Sequence, residues 1–135
     1  MTQEGQPTSS TIARRWGVRP GMRIWFGGRN LHAKRAAAEH LAGTLRPPTG
    51  PVEQVFITPK TVDEAVYFVN KLRHRLASGG SVWVIYPRPG APRSREFHGQ
   101  PPDLTTQLAE HGFIKTDTVP VGDDHLSSRF QPSAD

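Results

Sequence analysis

Apolar positions recur along the chain in two periods, and their alternation predicts strands and helices in turn. Met22-Arg23-Ile24-Trp25-Phe26 follows the turn signal Val18-Arg19-Pro20-Gly21 and is expected as a first strand, broken by Gly27-Gly28. Val52 to Ile57 is expected as the second. Ser81-Val82-Trp83-Val84-Ile85-Tyr86 is a continuous apolar run ended by Pro87, the pattern of a parallel strand covered on both faces. Helical stripes lie between these runs. Leu31, Ala38, Leu41 and Leu45 mark a helix from Leu31 to about Leu45, with Asn30 as N-cap and Lys34, Arg35 and Glu39 outside. Pro47, Pro48 and Pro51 forbid its continuation. Thr61 and Glu64 form a capping box ahead of Ala65, Phe68, Val69, Leu72 and Leu76, while Lys71, Arg73 and Arg75 face water and Gly79-Gly80 stops the helix.

The two ends complete the order. Residues 1 to about 9 are polar and aperiodic and are expected as a disordered tail. Ser10 caps a short helix, Thr11 to Trp16, which Gly17 ends in a left-handed conformation. Residues 87–102 carry five prolines, two glycines and three arginines and predict a long exposed loop. A helix from the N-cap Asp103 to His111 closes at Gly112. Strands at about Ile114–Val121 and Leu126–Phe130 flank Gly122-Asp123-Asp124-His125 as an antiparallel hairpin, and residues 131–135 are tail. The order α-β-α-β-α-β-α-β-β over residues 10–131 predicts one domain, an α/β three-layer α-β-α Rossmann-like sandwich.

Composition narrows the class. Hydrophobic residues are 35% of the 135, while Gly and Pro number 13 each, so much of the chain is loop or tail. No run approaches the ~18 apolar residues of a membrane span, and no apolar signal region follows the N-terminus. Without cysteine there is no disulfide, thiolate metal site or thiol switch, so a soluble cytoplasmic protein is expected. Lys and Arg total 17 against 12 Asp and Glu, and 13 of the cations are arginine, suited to bidentate pairing with carboxylate or phosphate.

Two phrases carry a family resemblance: Gly17-Val18-Arg19-Pro20-Gly21-Met22-Arg23-Ile24, and Leu76-Ala77-Ser78-Gly79-Gly80-Ser81-Val82-Trp83-Val84-Ile85-Tyr86-Pro87. With the closing Asp123-Asp124-His125-Leu126-Ser127-Ser128-Arg129-Phe130, they resemble the DUF3052 family over residues 11 to 131. The resemblance implies a truncated methyltransferase-like fold found chiefly in actinobacteria. The element order likewise matches the second half of the class I methyltransferase sheet, which ends in a β-α-β-β unit with an antiparallel hairpin.

In a Rossmann sheet, glycines after the first strand admit the ligand and an acid after the second binds ribose. Phe26-Gly27-Gly28-Arg29-Asn30 has two glycines without G-x-G-x-x-G, and only Arg46-Pro47-Pro48-Thr49-Gly50-Pro51 separates the helix from the strand at Val52. That link is too short for the strand and crossover that would bring the ribose acid, so no cofactor is expected. Folding should instead gather a basic rim at the strand ends: Gly27, Gly28, Arg29, Asn30 and His32; Thr58 and Lys60; Arg88, Arg93 and Arg95. Trp25 and Trp83 are expected in the core, Trp16 as anchor of the first helix, and Tyr86 as the aromatic placed to meet a ligand. The histidines at 32, 40, 74, 98, 111 and 125 show no metal-binding spacing, Asp123-Asp124 reads as a turn, and there is no G-x-S-x-G elbow. The expected function is a non-catalytic regulatory or protein-interaction domain whose rim meets an acidic protein. The alternatives are a residual methyltransferase binding S-adenosylmethionine at Gly27–Asn30, and a binder of nucleic-acid phosphates.

Overall fold

The computed structural model of the protein describes residues 9–19, 21–41 and 50–133. The N-terminal tail up to residue 8, Pro20, the expected last turn of the 31–45 helix and residues 134–135 lie outside that range. Helix α1 (Ser9–Arg15) leads to β1 (Ile24–Gly28), α2 (Leu31–Ala38), β2 (Val52–Thr58), α3 (Val62–Leu72), β3 (Leu76–Pro87), α4 (Pro101–Glu110), β4 (Phe113–Val121) and β5 (His125–Pro132). One five-stranded sheet runs β1-β2-β3-β5-β4. β1, β2 and β3 are parallel, and β5 is antiparallel to both its neighbours. The expected α/β sandwich and terminal hairpin are present.

Every residue of β3 from Ser81 to Pro87 is buried. Val82, Val84 and Tyr86 pack with Ala65, Val69 and Leu72 of α3 and Leu104 and Leu108 of α4. Trp83 and Ile85 point the other way, into a cluster with Trp16, Ala33, Ala37, Leu41 and Phe56. Two apolar faces require two helical layers. On the second face the Trp16 ring lies 4.8 Å from Phe56 and 6.2 Å from Trp83. Its indole Nε1 donates to Ser127 Oγ at 2.9 Å, and that hydroxyl donates to the Val119 carbonyl at 2.7 Å. Trp16 therefore pins α1 to the hairpin as well as filling the core. Trp25, expected fully inside, is half-buried against Phe68.

Several boundaries differ from expectation, each for a local reason. β1 begins at Ile24 and includes Gly27 and Gly28, which pair with Ile57 and Thr58 instead of breaking the strand. Ser10 lies within α1, one residue after its start. The buried stripe of α2 is Ala33, Ala37 and Leu41, and Leu31 is 70% exposed because it opens the first turn. Gly79-Gly80 does not stop α3. That helix ends at Leu72, and the glycines sit inside β3, where the register jumps from Val52 opposite Leu76 to Gln54 opposite Ser81. α4 starts at Pro101-Pro102, two residues before Asp103, because proline suits the first helical positions, whose N–H groups lack partners anyway. The stretch 88–100 is not simply exposed: it turns once at Ser94–Glu96 and inserts Phe97 into the core. β4 carries a bulge between Lys115 and Asp117 and a proline at position 120.

Trp16→Ala is expected to destabilise the fold by about 3–5 kcal/mol in urea denaturation, and Trp16→Phe, which keeps most of the ring but loses the Ser127 bond, by about 1–2 kcal/mol.

Candidate functional site

The carboxyl ends of β1, β2 and β3 and the β4–β5 turn share one edge of the sheet. α2 leaves β1 toward the Trp83 face and α3 leaves β2 toward the Val84 face, so the loops after β1 and β2 diverge and open a crevice. Two bonds tie the loops across it. The Asn30 N–H donates to the Thr58 carbonyl at 3.0 Å, and Arg29 Nε meets Glu64 Oε2 at 2.7 Å. Glu64 also accepts from the Lys60 N–H at 2.8 Å, while its own N–H donates to Thr61 Oγ1 at 3.0 Å, as the capping box requires.

The link from β1 to α2 is two residues long. Asn30 is buried and caps α2, its Oδ1 accepting from the Ala33 N–H at 3.1 Å. Gly28 adopts φ +134°, and a Cβ there would stand 2.6 Å from the Thr58 nitrogen. This glycine therefore serves the close approach of β1 to β2. Gly27 lies under the Trp25 ring, and Thr58 is buried with its hydroxyl 3.5 Å from the Gly27 carbonyl.

The remaining expected residues divide into two groups. Arg29, Asn30, His32 and Lys60 line one cavity of about 210 Å³ together with Leu31 and Glu96. Arg93 lines a second cavity of about 300 Å³ that also includes His32, Arg35, Asp123, Asp124 and His125. Glu96 links the groups: its Oε2 lies 2.8 Å from His32 Nδ1 and 3.1 Å from Arg93 Nη1. Arg88 braces the hairpin turn, its N–H donating to the Asp124 carbonyl at 2.7 Å. Arg95 is exposed and, among the described residues, has no ion-pair partner. Tyr86 is 2% exposed and its hydroxyl bonds Ser128 Oγ at 2.9 Å. Burial pushes its phenol above the ordinary value, opposed by that bond, so it is a neutral core residue whose polar atom is already engaged. It also borders a third cavity, about 450 Å³, lined as well by Arg95, His98 and Gln100.

Three participants were missed in the sequence: Glu64, Glu96 and His125. Glu64 was visible only as half of a capping box. Glu96 sits in an aperiodic loop that gives no positional signal, and His125 was one of six scattered histidines. Glu96 Oε1 and His125 Nε2 are buried without a hydrogen-bond partner, as is Asn30 Nδ2. Burial lowers the His125 pKa below its usual value; Asp124 and Glu96 pull it back, while Arg93 and His32 push it further down. Among the described residues, no group of three His, Asp or Glu side chains could hold a metal ion.

With this geometry the class is clear: the chain has the Rossmann-like fold of the S-adenosylmethionine-dependent methyltransferases. It is similar to such a methyltransferase from Aquifex aeolicus at 12% identity and a TM-score of 0.61, over 91% of this chain and 88% of that one. It is similar to the CcbJ methyltransferase from Streptomyces caelestis at 11% identity and 0.59, over 95% and 90%. DhpI, solved as a complex with S-adenosylhomocysteine, aligns at 15% identity and 0.53, over 94% and 84%. No protein-family model and no curated protein matches the sequence.

Two outcomes follow. Gly28→Ala is expected to cost about 2–4 kcal/mol in denaturant melts, since neither the positive φ nor the Thr58 backbone can yield. Because the folded pKa of His125 lies below its unfolded value near 6.5, its contribution is intact above that pH and lost as pH falls toward the folded pKa. Wild-type stability should therefore fall more steeply as pH drops below about 6.5 than that of His125→Asn, read by urea melts at each pH.

Proposed function

We propose that this chain is a methyltransferase-fold domain of the DUF3052 kind that acts in the cytoplasm by binding an acidic protein partner, without catalysing methyl transfer. The observation that carries the reading is the contrast between the two sides of the strand-end edge. Inside, Gly28 is packed against Thr58 and Asn30 caps α2, so the two-residue link after β1 is engaged by the fold itself. Outside, Arg29, Lys60 and Arg95 stand exposed around the crevice. Eight residues, 42–49, are all that connects the described end of α2's last turn to Gly50. That length cannot contain the strand and helix that would bring a ribose-binding carboxylate to β1. Long loops on a rigid sheet are common seats of recognition, and the 88–100 segment supplies Arg88 and Arg95 to this one. No helix of the described residues is long and apolar enough to cross a membrane.

The fold itself favours a second reading, methyl transfer with S-adenosylmethionine held in the crevice between β1 and β2, since structural neighbours include methyltransferases. Titration separates the readings. Millimolar S-adenosylmethionine is expected to leave the melting temperature and the amide resonances of Gly27–Asn30 unchanged; a saturable shift there establishes the second reading instead. Immobilised polyglutamate should retain the wild type, and Arg88→Ala combined with Arg95→Ala should weaken retention about three- to tenfold, as expected for one half-buried and one exposed charge. Binding to duplex DNA that is as tight as to polyglutamate at the same salt would point to phosphate-backbone recognition and overturn the acidic-protein reading.

A further inference from the structure

The two cavities at the strand ends meet at His32, which lines both. Each contains a buried side chain whose polar capacity is unmet. Asn30 is 1% exposed and its Nδ2 amide has no partner; His125 is 4% exposed and its Nε2 has none. Asn30 already caps α2 through its other atom, and His125 opens β5 beside charged neighbours and not among the apolar core residues. Beside Asn30 stands Lys60, which among the described residues has no ion-pair partner. Beside His125 the lining is mixed: Asp123, Asp124 and Glu39 share the wall with Arg35 and Arg93.

We propose that these cavities form a binding site for a small hydroxylated phosphate ester, a sugar phosphate in chemical class. The phosphate lies toward Asn30, His32 and Lys60, whose amide, imidazole and ammonium groups belong to the lining of one cavity. The hydroxyl groups lie toward Asp123 and Asp124, which accept from a polyol as acidic residues do from ribose. Glu96 is the internal counter-anion of this site. Its Oε2 holds His32 and Arg93, while its Oε1 is buried with no donor, so the carboxylate occupies the anion position with half of its acceptors unmatched. A phosphate offers more acceptors from the same place, and it displaces Glu96 together with the turn at Ser94–Glu96 that carries it. This inference does not rest on the acidic-partner reading, which uses Arg88 and Arg95 and needs no cavity.

The test is a titration of the full chain with ribose 5-phosphate, inorganic phosphate and ribose, followed through the Asn30 side-chain amide and the His125 imidazole by NMR. Ribose 5-phosphate should move both signals in the wild type at millimolar concentration and bind Glu96→Gln about tenfold more tightly, because one like charge has left the site. It should also bind more tightly than inorganic phosphate, and Asp123→Asn combined with Asp124→Asn should erase that preference while leaving phosphate binding in place. Unmoved Asn30 and His125 signals overturn the proposal, and so does a folded Glu96→Gln that binds no more tightly than the wild type. Equal affinity for inorganic phosphate and ribose 5-phosphate overturns the sugar assignment. The wild-type titration decides the matter alone should the variant fail to fold.

Discussion

The rest of the structure depends on the burial of β3 on both of its faces. Its run from Val82 to Pro87 offers water no polar side, so apolar cover has to come from above and below the sheet. α3 and α4 supply one cover around Val82, Val84 and Tyr86, and α1 and α2 supply the other around Trp83 and Ile85. This two-sided demand places α2, which follows β1, and α3, which follows β2, on opposite faces. The parting of the loops after β1 and β2 is a consequence of that demand, and the crevice at Asn30 and Lys60 is where they part. The site is thus a by-product of core packing before any of its side chains is chosen.

Much of this was legible because it follows from periodicity. The uninterrupted apolar run of β3, the Ala65–Val69–Leu72 stripe of α3 and the Thr61–Glu64 cap each carry their conformation in local order. What was misplaced depended on partners distant in sequence. Gly27 and Gly28 look like a strand breaker, yet β2 offers them ladder partners and a contact that only a residue without Cβ tolerates. Gly79-Gly80 looks like a helix stop, yet the pairing of β3 with β2 absorbs them as an irregularity in register. Arg29, Asn30, His32 and Lys60 could be gathered in advance, because parallel strands place their following loops on one edge. Glu96 and His125 could not, because their positions follow from the path of an aperiodic loop and from hairpin register.

The electrostatics of the edge differ from a simple basic patch. Glu64 engages Arg29, and Glu96 engages both His32 and Arg93, so part of the positive charge is neutralised by side chains that the fold itself supplies. Exposed pairs of this kind contribute little to stability, on the order of 0–1 kcal/mol each. Their larger effect is geometric: they hold the β1 and β2 loops in register and fix the 88–100 segment over the strand ends. The same segment anchors itself through Phe97 in the core, so the cover is fastened from beneath as well as across its top.

The bulge and proline of β4 have a consequence for how this molecule meets others. An outermost strand with regular, unpaired amides is a template on which a second chain can stack. Here Pro120 removes one donor, the irregularity at Lys115–Asp117 spoils the spacing of the others, and the two charges oppose a close neighbour. Association along that flank by intermolecular sheet growth is therefore discouraged, and the terminal hairpin can remain solvent-facing without seeding fibres.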